Sequence, residues 1–154
     1  MIKTGYYTSK YVLADDYLEK VKNPFWKEDL DLEESLYEDA RIFLQGSCHL
    51  FAYALSECFG YEIIEICNNK CVGNHYYCVT HVDNIPIYID VRGATGDWMD
   101  FIIGAKYIDA SDYRLIKHKI EEKYEELNSD GAKFGYKFAQ YIISEHIETY
   151  GFSR

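Results

Sequence analysis

The stretch Gln45-Gly46-Ser47-Cys48-His49-Leu50-Phe51-Ala52-Tyr53-Ala54-Leu55 decides how the rest of the chain is read. Gly46 breaks the preceding segment, Ser47 is suited to accept a hydrogen bond from the amides ahead of it, and apolar residues then recur at helical spacing. Cys48, Phe51 and Leu55 share one face, because steps of three and seven residues nearly close whole turns. His49, Tyr53, Ser56 and Glu57 fall on the other side, and Gly60 is the expected C-terminal cap. Cys48 therefore stands at the mouth of a helix, where backbone N–H groups lack intrahelical partners and the helix end is partly positive. Both influences favour the thiolate, the reactive form of a thiol.

The next segments carry two further polar residues toward this cysteine. Residues 61–67 are rich in β-branched side chains and read as a strand, with a loop over 68–73. Residues 75–82 and 85–91, joined by Asp83-Asn84, read as a β-hairpin. In its second strand Ile85, Ile87, Ile89 and Val91 alternate with Pro86, Tyr88, Asp90 and Arg92. If the two turn residues close the hairpin, Val82 pairs with Ile85 and Tyr77 with Asp90. His75 is then diagonal to Asp90 on one face, roughly 7–8 Å away at Cα, within reach of an imidazole–carboxylate hydrogen bond. A slip of one residue would send them to opposite faces. His81 shares the face of His75 but lies near the turn, so position makes His75 the better base.

Cysteine, histidine and aspartate in this order point to nucleophilic acyl chemistry. Cys48 would attack a carbonyl carbon and form a thioester. His75 would hold the thiolate as an ion pair and then protonate the leaving group. Asp90 would orient the ring and stabilise its charge. The Cys48 backbone N–H and the Gln45 side-chain amide are candidate oxyanion donors. Tyr88 and Trp98 either line the cleft or are core aromatics.

At these residues the sequence resembles the transglutaminase-like branch of the papain-like cysteine hydrolases. The similar pattern is Gly-x-Cys-x-x-Phe-Ala-x-x-Leu from Gly46 to Leu55, followed by Gly60-Tyr61 and a strand. His75 resembles the family's histidine, opening a strand after a loop, and Asp90, in Tyr88-Ile89-Asp90-Val91-Arg92-Gly93, its aspartate. The resemblance covers residues 46–93 and implies a nucleophile helix packed on an antiparallel sheet. The chain departs from the family in having His49 where an aromatic usually follows the nucleophile and Val91 where a proline often follows the aspartate. It also lacks the calcium-loop pattern of the animal enzymes. Water, a lysine amine and other nucleophiles stay open as acyl acceptors, and the implied substrate is an amide-bearing protein or peptide.

The flanks read as helical, giving an α+β domain over 1–154 whose sheet has about three or more strands between N- and C-terminal helices. Residues 1–8 read as a short extended piece. Residues 9–21 have helical spacing and stop at Asn23-Pro24. A helix from Asp31, with Glu34 completing its capping box, would bury Leu36, Tyr37, Ala40, Phe43 and Leu44. Residues 93–96 read as a loop, and 97–103 as either a helical turn or an extended cover. A helix capped by Ser111 and running to 128 would bury Tyr113, Ile116, Ile120, Tyr124 and Leu127. Another over 132–149 would bury Phe134, Phe138, Tyr141, Ile142 and His146.

Composition bounds the remaining possibilities. Hydrophobic residues at 48% and charged residues at 27% describe a globular chain. A net charge of −10 offers no basic stripe for a phosphate backbone, so no nucleic acid is expected. The first residues lack the apolar core of a signal peptide and no segment is long and apolar enough to span a membrane, which points to a cytoplasmic protein with reduced thiols. The spacing Cys67-x-x-x-Cys71 lacks a second matched pair, and Cys58 and Cys78 read as core, so neither a metal nor a cofactor is expected. The competing reading is a catalytically silent member of the same fold. It would be an acidic binding or inhibitor protein of a mobile element that captures a basic protein partner.

Overall fold

The computed structural model describes residues 15–68, 74–104 and 113–151. Along the chain run α1 (Asp15–Leu18), α2 (Cys48–Phe59), β1 (Glu62–Asn68), β2 (His75–Val82), β3 (Ile85–Asp90), β4 (Gly93–Thr95), α3 (Trp98–Gly104), β5 (Tyr113–His118), α4 (Lys123–Glu126), α5 (Asp130–Glu145) and α6 (Ile147–Tyr150). The strands form one antiparallel sheet in the order β4-β3-β2-β1-β5. With α2 packed on this sheet and helices flanking it, the fold is α+β. No helix of the described residues is long and apolar enough to cross a membrane. The expectations for residues 1–8, for the 9–14 part of the 9–21 helix, for Cys71 and for Ser111 fall outside the described residues; over 15–21 the helix is confined to Asp15–Leu18 and stops short of Val21.

The hairpin forms with the expected register. Asp83 and Asn84 both take positive φ, 53° and 68°, the backbone of a two-residue turn whose twist matches the strands it joins. Val82 pairs with Ile85, and the ladder runs on to Cys78 opposite Ile89. Alternation then separates two cores. On one face Tyr76 packs against His49 and Tyr53 of α2, and the Cys78 thiol donates to the Ala52 carbonyl at 3.2 Å. On the other face Tyr77 meets Phe101 and Trp98 of α3, with Ile64, Ile66 and Ile102 buried alongside.

The larger core lies on the α2 face. Helix α2 is buried from Leu50 through Leu55, so Tyr53 is 1% exposed and not on a solvent face as its helical position predicts. Both sides of α2 are covered, by the sheet on one and by α5 on the other, which brings Tyr136, Phe138, Ala139, Ile142 and Ile143. At Gly135 the approach is too close for a side chain, since a Cβ there would collide with the Tyr37 ring. The Tyr150 hydroxyl donates to the Val91 carbonyl at 2.7 Å and Tyr61 donates to the Tyr150 carbonyl at 2.8 Å, tying α6 to the end of β3 and to the start of β1.

Several flanking expectations are corrected. The predicted helix from Asp31 is two short 3-10 turns, Glu34–Leu36 and Ala40–Leu44. Asp31 does cap, accepting the Glu34 N–H at 3.0 Å. The helix cannot continue because Asn23 takes the carbonyls it needs: its side-chain amide bonds the Tyr37 carbonyl at 2.8 Å and its backbone N–H the Glu38 carbonyl at 2.9 Å. Asp39 is consequently extended and bridges Lys22. Tyr37, Ala40 and Phe43 are buried as expected, whereas Leu36 is exposed.

Residues 93–96 are not simply a loop, because Gly93–Thr95 adds β4 to the sheet. The 111–128 helix is replaced by β5, a 3-10 turn (Ile120–Glu122) and α4. The open edge of β1 presents a row of unpaired backbone groups, and pairing there satisfies them. Tyr113 on β5 and Tyr124 on α4, both expected in a buried stripe, are exposed. The last predicted helix starts earlier, at Asp130 with the Ser129 hydroxyl accepting the Ala132 N–H at 3.1 Å, and breaks at His146 before α6. Phe138 and Ile142 are buried as read, while Phe134, Tyr141 and His146 are half-buried. Cys58, expected in the core, is exposed.

Candidate active site

Cys48 reaches its position through a sharp turn. Gly46 has φ 144°, a conformation that disfavours any side chain, although the space around it is open. Ser47 occupies the N-cap position but does not cap with its side chain; its hydroxyl pairs with the Tyr37 hydroxyl at 2.9 Å. Cys48 is then the first residue of α2, 7% exposed, with its sulfur toward the start of β2. There the Tyr76 backbone N–H donates to Sγ at 3.3 Å.

His75 is the first residue of β2 and is fully buried. Its Nε2 lies 2.9 Å from Asp90 Oδ2, the contact that the hairpin register predicts. Its ring is packed beside Tyr77 and Phe101 on the α3 face, whereas Cys48 comes from the α2 face. The two residues meet at the end of the sheet, where β2 begins. Burial alone would lower the His75 pKa, but its interactions with Asp90 and Cys48 outweigh that cost and push it up to about 9.

Asp90 sits between His75 and a second cation. Arg92 Nη2 approaches Asp90 Oδ2 at 2.6 Å and Arg92 Nε lies 3.1 Å from both carboxylate oxygens, while the Arg92 backbone N–H donates to Oδ1 at 2.9 Å. Arg92 Nη2 also donates to the Phe101 carbonyl at 3.2 Å, and the guanidinium lies 5.3 Å from the Phe101 ring centroid. Burial would raise the Asp90 carboxyl, but Arg92 and His75 together hold it well below the usual carboxylate range. Arg92 is the residue the sequence reading did not assign to the site. The alternation that places Asp90 inward places Arg92 on the same face two residues later, and that signal was available.

The other expected residues are less closely joined. Gln45 is exposed at the end of a 3-10 turn, and its side-chain amide makes no hydrogen bond among the described residues. The Cys48 N–H is at the first helical position, where no intrahelical acceptor exists. Tyr88 and Trp98, with ring centroids 5.0 Å apart, are half-buried parts of the second core beside Phe101. An apolar depression lined by Ala54, Cys58, Gln140, Ile143 and Ile147 opens toward the opposite end of α2 from Cys48. Among the described residues no group of three or more His, Cys, Asp and Glu is arranged to hold a metal ion.

The His75 shift has a consequence for stability. A histidine with a folded pKa of about 9 and an unfolded value of roughly 6.5 contributes stability that is fully present below the lower value. That contribution fades as pH rises through the higher one. Wild-type protein is therefore expected to lose on the order of 3 kcal/mol between these values, and His75→Gln to lose much less. Thermal unfolding across that window checks it; parallel curves would mean that His75 does not carry the shift. Asp90 works in the opposite sense, its contribution vanishing as pH falls below roughly 3.9.

Compared with known proteins, the chain matches no family model, no curated protein and no solved structure.

Proposed function

We propose that this protein is a cysteine-dependent amide or acyl hydrolase or acyl transferase acting on an amide-bearing protein or peptide through a Cys48–His75–Asp90 triad. The observation that carries this reading is the 2.9 Å His75–Asp90 contact at the strand end where a sulfur from the first turn of α2 accepts the Tyr76 amide. The order of these residues, and a helix packed on an antiparallel sheet, support the resemblance to the transglutaminase-like branch of the papain-like cysteine hydrolases.

The chemistry follows from the parts. Cys48 sulfur bonds to the carbonyl carbon while the carbonyl electron pair moves to oxygen, with the Cys48 N–H, and Gln45 if its exposed side chain turns inward, as the candidate donors to that oxygen. The C–N bond then breaks, the nitrogen takes a proton from the His75 imidazolium, and a thioester remains. Attack by water or an amine, with His75 accepting its proton, releases the thiol. Asp90, kept ionised by Arg92, holds the ring by Nε2 and leaves Nδ1 as the nitrogen for the exchange.

A labelling experiment tests the reading. By exposure alone Cys58 should react first, yet its thiol is pushed up by burial and by Glu57, and Cys78 is pushed up by burial. Iodoacetamide at neutral pH is expected to modify Cys48 ahead of exposed Cys58, as read by peptide mass mapping. Labelling that simply follows exposure contradicts the proposal. The second reading, a silent acidic binder of a basic protein, is favoured by the low exposure of Cys48, and it predicts that Cys48→Ala retains full biological effect.

A further inference from the structure

Glu65 is a carboxylate in the middle of the sheet, 7% exposed, between the buried pairs Ile63–Ile64 and Ile66–Cys67. Burying such a group costs several kcal/mol unless its charge and lone pairs are met, so its partners are informative. Glu65 Oε1 lies 2.8 Å from His118 Nε2, and Oε2 accepts from the Asn74 side-chain amide. The other ring nitrogen of His118 meets Glu122 Oε1 at 2.8 Å, and Glu122 Oε2 accepts the Lys119 N–H at 2.6 Å. Burial would lower the His118 pKa, but hydrogen bonds and charge from Glu122 and Glu65 raise it, and both ring nitrogens face a carboxylate oxygen.

The same network grips the start of β2. Tyr76 stands directly opposite Glu65 in the β1–β2 register, and its ring stacks on His118 with centroids 4.9 Å apart and planes 29° from parallel. Asn74 and Tyr76 are the two neighbours of His75. Glu65 thus bonds one of them directly and braces the other through His118. Tyr76 is also the residue whose backbone N–H meets the Cys48 sulfur.

We propose that Glu65 is a positioning residue: by fixing Asn74 and, through His118, Tyr76, it sets where β2 begins and so places the His75 ring and the Tyr76 amide against Cys48. This inference rests on the catalytic reading above. A misplacement on the order of 1 Å in such a site can cost about 100-fold, so loss of a brace has a kinetic signature beyond stability.

The test uses the full chain and follows iodoacetamide labelling of Cys48 from mildly acidic to mildly alkaline pH. Glu65→Gln is expected to slow Cys48 labelling by about tenfold and to displace its pH profile. Asn74→Ala, at an exposed position, is expected to slow it several-fold with an unchanged unfolding temperature. Should Glu65→Gln fail to fold, Asn74→Ala decides. A His75→Ala control separates the two claims. If His75→Ala labels slowly while folded Glu65→Gln and Asn74→Ala keep the wild-type rate and profile, the positioning role is overturned and the catalytic reading stands. If His75→Ala labels like wild type, both fall.

Discussion

Changing His75 to alanine is expected to slow iodoacetamide labelling of Cys48 near neutral pH by about 100-fold, the lower end of what a positioned acid or base contributes. The alkylating agent reacts with thiolate, and the His75 imidazolium is the cation placed to pair with it. The Tyr76 amide remains in the variant and continues to donate to Sγ, so some reactivity persists. Removing a fully buried ring also leaves a cavity, and the variant should be less stable by about 2–4 kcal/mol. Labelling is therefore compared at a temperature where circular dichroism shows both proteins folded. The exposed Cys58 serves as an internal reference, because its rate should be the same in both. Equal Cys48 rates would separate the sulfur from the imidazole.

The second large effect is on stability and falls on Arg92. Asp90 and Arg92 are each 3% exposed, so neither charge has water to fall back on. Among the described residues, Arg92→Met leaves Asp90 with His75 as its cationic partner, and removing one partner of a buried pair costs about 3–5 kcal/mol. For a chain of this size that corresponds to a fall in unfolding temperature on the order of 10 °C. The same change releases the guanidinium from the Phe101 carbonyl and so loosens α3 over the second core. Asp90→Asn combined with Arg92→Met removes both charges and should recover part of the loss, because the isolated buried charge is what destabilises. Its Cys48 should nevertheless stay slow, since the ring has lost its carboxylate. A single-variant loss below ~1 kcal/mol would mark the pair as effectively solvated.

What could be read from the sequence depended on whether local and tertiary demands agreed. The hairpin was legible because Asp83 and Asn84 tolerate positive φ and because inward isoleucines alternate strictly; the His75–Asp90 contact follows from that register alone. Helix α2 was legible because Gly46 and Gly60 bracket a strong apolar run. The 31–44 segment was misread because Asn23, distant in sequence, competes for the carbonyls of Tyr37 and Glu38. Residues 113–118 carry apolar residues at a spacing that serves a helix equally well, and the deciding influence is the open edge of β1. Glu65 and His118 look like ordinary surface residues in isolation. Only the pairing of β1 with β2 and β5 brings them beside the residues that flank His75.

The central claim is that Cys48 and His75 act as one unit. Titration of the His75 ring nitrogens by NMR, in wild-type protein and in Cys48→Ala, tests it most directly. Because Cys48 is among the groups that raise His75, the account predicts a clearly lower midpoint in the variant, with Asp90 still holding Nε2. The same midpoint in both proteins would show that the sulfur and the imidazole do not sense one another, and would contradict the account.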